Sequence, residues 1–171
     1  MKKLLSWVLC AVLIASLFAF CEELPMYERI EMNDTLETLT ERYGGPVLTE
    51  DGYADFGGVL CAFFESGRLR AKIVSFDAIS EAASFTDSDF SGARNLKKGA
   101  PEEEVNALFG GAGAEIMRIN LSDEENSGVQ RVDAWVNADG NAVQALFELE
   151  DGKWVLFAIV ETNGGALSNE R

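Results

Sequence analysis

The sequence predicts an α+β fold of two tandem repeats, each packing a short helical segment on an antiparallel sheet, with the sheets forming a shared layer. The first observation behind this prediction is a pattern over residues 30–45 that returns over residues 96–111 at a constant offset of 66 residues. The second is strand-like sequence after each copy, ending in a tight turn at residues 65–68 and 150–153. A helix-then-sheet unit that occurs twice indicates a duplicated scaffold.

The N-terminal segment predicts export. Lys2 and Lys3 precede an apolar or small run over residues 4–20, and two acidic residues follow, which is the pattern of a cleaved signal peptide over residues 1–21. Cys21 is either removed with the signal or kept as a lipidated first residue, although Phe20 stands where the lipid-attachment motif has a small residue. The protein is therefore expected to be secreted or attached to the outer face of the cell membrane.

The composition excludes several partners and frameworks. Without residues 1–21 the chain has 12 basic and 29 acidic residues, a net charge of −17. Nucleic acid and anionic lipid both need a positive partner, so neither is expected to bind. Cys61 is the only cysteine well inside the mature chain, which rules out a disulfide framework.

The first repeat is predicted over residues 22–77. Asp34 and Glu37 read as a capping box for a helix over residues 35–43, with Gly44 as its left-handed stop. Two strands are expected over residues 59–65 and 68–76, on either side of a Ser-Gly turn.

A linker at residues 78–93, with a helical turn near its start, leads to the second repeat at residues 94–163. Pro101 suits the first helical position, and three glutamates follow it at the positive end of the helix. Strands over residues 130–137, 142–150 and 153–162 are joined by Asp-Gly turns. A polar insertion occupies residues 121–128, and residues 164–171 form a flexible tail.

The sequence offers little for catalysis or metal binding. The chain has no histidine, which removes the commonest general base and many metal sites. Residues 87–92 begin like a calcium loop, but Lys98 stands at the twelfth position, where a bidentate acid is required. We expect no cofactor and no catalytic residue; the rival hypothesis is an enzyme or small-ligand carrier that uses Asp133 with Arg131.

The alternation of side chains predicts an open sheet face. In residues 68–76, Leu69, Ala71 and Ile73 are expected to face the helices, while Arg68, Arg70 and Lys72 face away. Aligning the second repeat by its turn places Trp154, Leu156 and Ala158 inward. Val155, Phe157 and Ile159 then face outward, together with Phe63 and Trp135. Exposed aromatic and basic residues of this kind predict a partner-binding surface, unless the linker, the tail or a second subunit covers it or the register is off by one.

The second repeat resembles a known family through Leu96, Gly99, the run 103–105 and the run 108–110. This is similar to the repeat unit shared by beta-lactamase inhibitor proteins and the SmpA/OmlA family of small outer-membrane assembly lipoproteins. The sequence departs from that family at residues 100–101, where Ala-Pro replaces Met followed by Ser or Thr. In the first repeat Asn33 replaces the glycine.

The resemblance implies a tandem arrangement whose concave sheet holds a partner enzyme, and it implies an inserted loop to which Asp51 and Tyr53 correspond. The chain lacks the paired disulfides of the inhibitors and has two repeats where the assembly lipoproteins have one. We therefore predict an exported, non-catalytic protein-binding module, acting as an enzyme inhibitor or, alternatively, as a lipid-anchored envelope scaffold or assembly lipoprotein. The predicted partner-binding residues are Asp51, Tyr53, Phe63, Arg68, Arg70, Lys72, Trp135 and Phe157.

Overall fold

A computed structural model describes residues 24–50, 52–75, 79–120 and 128–162. Within these ranges the chain is an α+β protein with one large antiparallel sheet and few helices, as the sequence predicts at that level. The predicted signal peptide and tail, Cys21, Asp51 and most of the polar insertion lie outside the described residues. None of the helices in the described ranges is long and apolar enough to cross a membrane.

The described elements alternate between short helices and runs of strands. The helices are α1 (Leu24–Glu28), α2 (Leu36–Tyr43), α3 (Ile79–Ala82) and α4 (Glu102–Leu108), with a 3-10 turn at Ala93–Asn95. The strands are β1 (Val47–Leu48), β2 (Tyr53–Phe56), β3 (Leu60–Glu65), β4 (Arg68–Val74), β5 (Ser84–Thr86), β6 (Ala114–Asn120), β7 (Val129–Asn137), β8 (Ala142–Glu150) and β9 (Lys153–Thr162).

The sheet is a meander interrupted once. Its order is β1-β2-β3-β4-β6-β7-β8-β9, with antiparallel neighbours throughout. β5 lies off this path and pairs in parallel with the last residues of β7. The β4–β6 pair joins the strands that follow α2 to the strands that follow α4.

Two apolar clusters hold the helices against the sheet. The first includes Leu39 of α2 and Leu60 of β3, and the second includes Val105 of α4 and Phe147 of β8; all four are fully buried. We call the face on which α1, α2 and α4 pack the helix side, and the opposite face the open side. Burying apolar stripes of this kind is what stabilises such short helices, which would not persist alone.

The cap of α2 differs from the predicted one. Thr35 is the N-cap, and its hydroxyl accepts a hydrogen bond from the Thr38 backbone N–H while the Thr38 hydroxyl accepts from the Thr35 N–H. Asp34 instead accepts from the Glu31 N–H and forms an ion pair with Arg42. A threonine hydroxyl at N3 therefore takes the part assigned to Glu37.

Two of the three predicted hairpin turns form as two-residue turns, whereas the turn predicted at Asp139-Gly140 is a longer loop over residues 138–141. Ser66-Gly67 and Asp151-Gly152 each connect paired strands, and all four residues have positive φ. Positive φ at both central residues is the geometry that matches the twist of a two-residue hairpin. The strands β8 and β9 have the predicted bounds, whereas β1, β2, β5 and β6 were not predicted.

The connector between the halves packs on the open side. In β7, Asp133 and Trp135 face the helix side, so the alternating residues Val132 and Ala134 face the open side. Val132 and Ala134 are nevertheless buried, in the same cluster as Ala82 of α3. The helix α3 contacts β6 and β7. The connector thus covers part of the open side, which was one of the alternatives the sequence left open.

Candidate functional site

An apolar row crosses the open side of four neighbouring strands, β2, β3, β4 and β6. Tyr53 pairs with Phe63, Phe63 with Ala71, and Ala71 with Ile119. The Tyr53 and Phe63 rings are 5.7 Å apart and tilted by 53°. Directly paired residues of antiparallel strands share a face, so these four side chains form one continuous strip.

A second row runs beside the first, through Cys61, Ile73 and Met117 to Val132. Cys61, Ile73 and Met117 are half-buried, while Val132 lies beneath the connector. Burial and the nearby charge of Asp55 raise the pKa of the Cys61 thiol, which keeps it protonated and a poor nucleophile. We name Tyr53, Cys61, Phe63, Ala71, Ile73 and Ile119 the open-face band.

The basic residues lie at one end of the band. Arg68 is exposed beside the Ser66-Gly67 turn, and the Nε of Arg70 lies 3.1 Å from a carboxylate oxygen of Glu65. Arg68 and Glu65 pair directly across the hairpin. The end of the band is therefore charged and its centre apolar.

The predicted orientation of Lys72 is wrong. Lys72 pairs with Ala62 on the helix side, and its Nζ donates to the carbonyls of Tyr27 and Ile30 at 3.0 Å each. The reason is a β-bulge, since the register shifts between Phe63 and Phe64. The extra residue reverses the alternation, so Ala71 and Ile73, expected inward, face the open side.

The predicted orientation of Trp135 is also wrong. Trp135 is 1% exposed and packs against Phe109 of α4 with ring centroids 5.0 Å apart. Its indole N–H donates to the Gly111 carbonyl at 3.0 Å. Because the side chain faces the helix side, it takes no part in the open-face band.

A β-bulge in β9 changes which face of the sheet its side chains lie on. The register of β9 against β8 shifts between Leu146 and Phe147, and Phe157 is the extra residue of the bulge, without a paired residue in β8. Phe157 is 37% exposed as predicted, but the Lys98 ammonium sits 3.7 Å from its ring centroid. Beyond the bulge Ile159, predicted to face outward, packs against the second cluster instead, and Ala158 pairs with Leu146 on the open side.

An ionic seam lies on the helix side where the two halves meet. Glu115 accepts hydrogen bonds from Arg118 and from the Tyr27 hydroxyl, and its oxygen is 3.8 Å from the Lys72 Nζ. Burial raises the pKa of Glu115, but the hydrogen bond and charge of Arg118 outweigh it and leave the pKa lowered. Burial lowers the pKa of Lys72 despite the nearby carboxylate.

The seam continues into the second half through Arg131. Its guanidinium bonds Glu102 of α4 at 2.6 Å and Asp133 at 2.8 Å. Asp133 pairs with Glu115 across the strands, and burial raises its pKa to about 6 even though Arg131 opposes the shift. The Asp133 Oδ1 and the Arg131 Nε have no hydrogen-bond partner in the structure.

Sequence reasoning paired Asp133 with Arg131, and the two do form an ion pair, but it did not predict the rest of this seam. Its signal is charge at strand positions that face apolar neighbours, namely Arg131 and Asp133 in β7 and Glu115 and Arg118 in β6. The Arg131 and Asp133 side chains are 11% and 4% exposed, so this pair is largely closed to solvent. The described residues contain no group of acids or cysteines arranged to hold a metal ion.

Comparison with known proteins gives no relative: no protein-family model matches the chain, and no curated protein matches it.

Proposed function

We propose that this protein is an exported, non-catalytic binding protein whose open-face band contacts a partner protein. The observation that carries the proposal is the band itself, an apolar strip with an aromatic pair at one edge and arginines at one end. Aromatic residues and arginine are the side chains that dominate protein interfaces. The charged groups of the ionic seam, by contrast, are paired with one another.

Duplication of the scaffold is part of the same proposal, and equivalent positions support it. Leu39 and Val105, 66 residues apart, are each fully buried, one in each cluster. Ile30 and Leu96 likewise pack into the first and second cluster. The helix that contains Leu39, α2, precedes four antiparallel strands, and so does the helix that contains Val105, α4.

The resemblance to the inhibitor and assembly-lipoprotein repeats favours two versions of this function. In the first, a secreted protein inhibits an enzyme, and Tyr53 at the edge of the band takes part in the contact. In the alternative, a lipid on Cys21 attaches the protein to the membrane as an envelope scaffold. Mass spectrometry of the mature N-terminus separates them, because lipidation adds the mass of the acyl groups.

Photo-crosslinking in the producing cells tests the proposal. A photoreactive residue replaces Ile119 in the band, and a matched one replaces Glu41 on the exposed surface of α2. We expect a discrete adduct with another protein from position 119 only, and we expect Tyr53→Glu to abolish it while the thermal unfolding midpoint is kept. Equal adducts from both positions, or none from position 119, would overturn the proposal. An adduct of two copies of this chain would replace it with a dimer in which the sheet faces meet.

A further inference from the structure

A groove separate from the open-face band lies between β5 with its following loop and the C-terminal end of α4. Its volume is about 600 Å³. Phe85 of β5 and Leu108 of α4 line it and are 67% and 37% exposed. Phe85 is therefore among the most exposed apolar side chains of the described residues.

Hydrogen bonds fix the walls of this groove. The Thr86 hydroxyl donates to the Phe109 carbonyl at 2.5 Å, and Thr86 is buried. β5 is also bound to β7 as a parallel strand. Gly110 has a φ of +80°, and a Cβ there would lie 3.1 Å from the Thr86 hydroxyl. The loop after β5 and the C-terminal end of α4 are therefore fixed relative to each other. The groove between them is already formed and needs no rearrangement to accept a ligand.

The charge of the groove is negative. Asp87 and Asp89 line it, both are exposed, and neither has an ion-pair partner among the described residues. Hydrogen bonds from Ser91 lower the pKa of Asp89, so its carboxylate stays ionised. The described lining contains no Lys or Arg. Exposed apolar side chains in one groove with two carboxylates that have no ion-pair partner among the described residues complement a basic and apolar ligand.

We infer that the groove between β5 and α4 is a docking site for an extended segment of a partner protein in which a large apolar side chain stands next to a Lys or Arg. The apolar side chain packs on Phe85 and Leu108, and the cation lies between Asp87 and Asp89. A second copy of this chain fits poorly, because its net charge of −17 after export opposes self-association. Its own basic and apolar segment at residues 96–98 is already engaged with the second cluster and with Phe157.

The test is an NMR titration of the purified exported protein with a short amidated peptide of alternating leucine and lysine. The control peptides replace leucine with serine, or lysine with glutamate. We expect shift changes centred on residues 85–89 and 107–110. Phe85→Ser and Asp89→Asn should each weaken binding about tenfold, as loss of a buried aromatic contact or of a charge pair commonly does. The amide that Asp89→Asn introduces keeps an oxygen that can accept from the Ser91 N–H, so the loop should keep its shape.

The matched control variants are Val160→Ser, which removes an apolar side chain that is 58% exposed, and Glu103→Gln, which removes an exposed acid of α4. Both should bind the peptide as the unaltered protein does. Equal weakening by Glu103→Gln, or equal binding of the serine–lysine peptide, would show non-specific attraction to an acidic surface and overturn the inference. Absence of binding would overturn it as well, and so would self-association that Phe85→Ser abolishes. The site lies outside the open-face band, so none of these outcomes bears on the proposed function.

Discussion

Asp133 is the residue at which burial and charge oppose each other most directly. Its pKa is raised to about 6 by burial, against an ordinary value near 3.8. The folded state therefore binds more protons than the unfolded state between these values. The stability that the protonated carboxyl contributes is present below pH of about 4 and is lost as the pH rises through about 6.

Replacing Asp133 with Asn should therefore stabilise the protein at neutral pH. The expected gain in the free energy of unfolding is on the order of 3 kcal/mol at pH 7.5 as an upper bound, and it should shrink towards zero near pH 4. Urea denaturation at both pH values measures it, with Asp139→Asn on an exposed turn as the control. Destabilisation at pH 7.5 would mean that pairing with Arg131 outweighs the burial of the charge.

Lys72 differs from Asp133 because its buried charged group is hydrogen-bonded, whereas one carboxylate oxygen of Asp133 has no hydrogen-bond partner. Its ammonium serves two carbonyls and Glu115, and its side chain is 8% exposed. Lys72→Met should remove a hydrogen-bond donor from both carbonyls and a positive charge from beside Glu115, and lower the free energy of unfolding by about 3 kcal/mol. Lys153→Met, at an exposed position, is the matched control. A loss below about 1 kcal/mol for Lys72→Met would show that water replaces the lysine there.

At the scale of single elements, periodicity predicts strands well and bulges poorly. The strands β8 and β9 follow from their alternation and their Asp-Gly turns, so their bounds match the prediction. The bulge beside Arg70 depends on tertiary packing and has no signature in the alternation of β4. One extra residue there was enough to exchange the predicted faces of Ala71 and Lys72, although Phe63 faces the open side as expected.

Two of the strands that were missed, β5 and β6, were missed for a different reason. β6 carries Glu115 and Arg118 on its helix side, where a buried strand would ordinarily be apolar. β5 is three residues long within a polar connector. Their positions depend on partners distant in sequence, namely Tyr27 for β6 and β7 for β5. Local patterns carry no information about such partners.

The hairpin between β3 and β4 depends on its glycine. Gly67 has a φ of +78°, and nothing lies within 4 Å of a Cβ built there. Gly67→Ala should therefore cost only the backbone strain, about 1 kcal/mol in the free energy of unfolding. Gly45→Ala is the control, because that glycine is equally open and has no positive φ. Equal effects at both positions, measured by chemical denaturation, would mean that the turn relaxes to another type.

At the scale of the whole molecule, the halves are joined by backbone and by charge together. The β4–β6 pairing makes one sheet of the two sets of strands. The ionic seam adds side-chain contacts, because Lys72 of β4 lies beside Glu115 of β6, and Arg131 joins Asp133 of β7 to Glu102 of α4. Few exposed groups take part in these links, so we expect the described halves to unfold together.

Leu39→Ala tests this coupling, because the tryptophans of the described residues, Trp135 and Trp154, both lie in the second half. Leu39 is fully buried in the first cluster, and its truncation should cost about 2–4 kcal/mol. If the halves unfold together, tryptophan fluorescence and far-ultraviolet circular dichroism should shift to the same lower denaturant midpoint. Val105→Ala, at a fully buried position of the second cluster, should behave alike. A Leu39→Ala protein with an unchanged fluorescence midpoint and a biphasic circular dichroism transition would show two independently folding units, and the seam would then contribute little to their union.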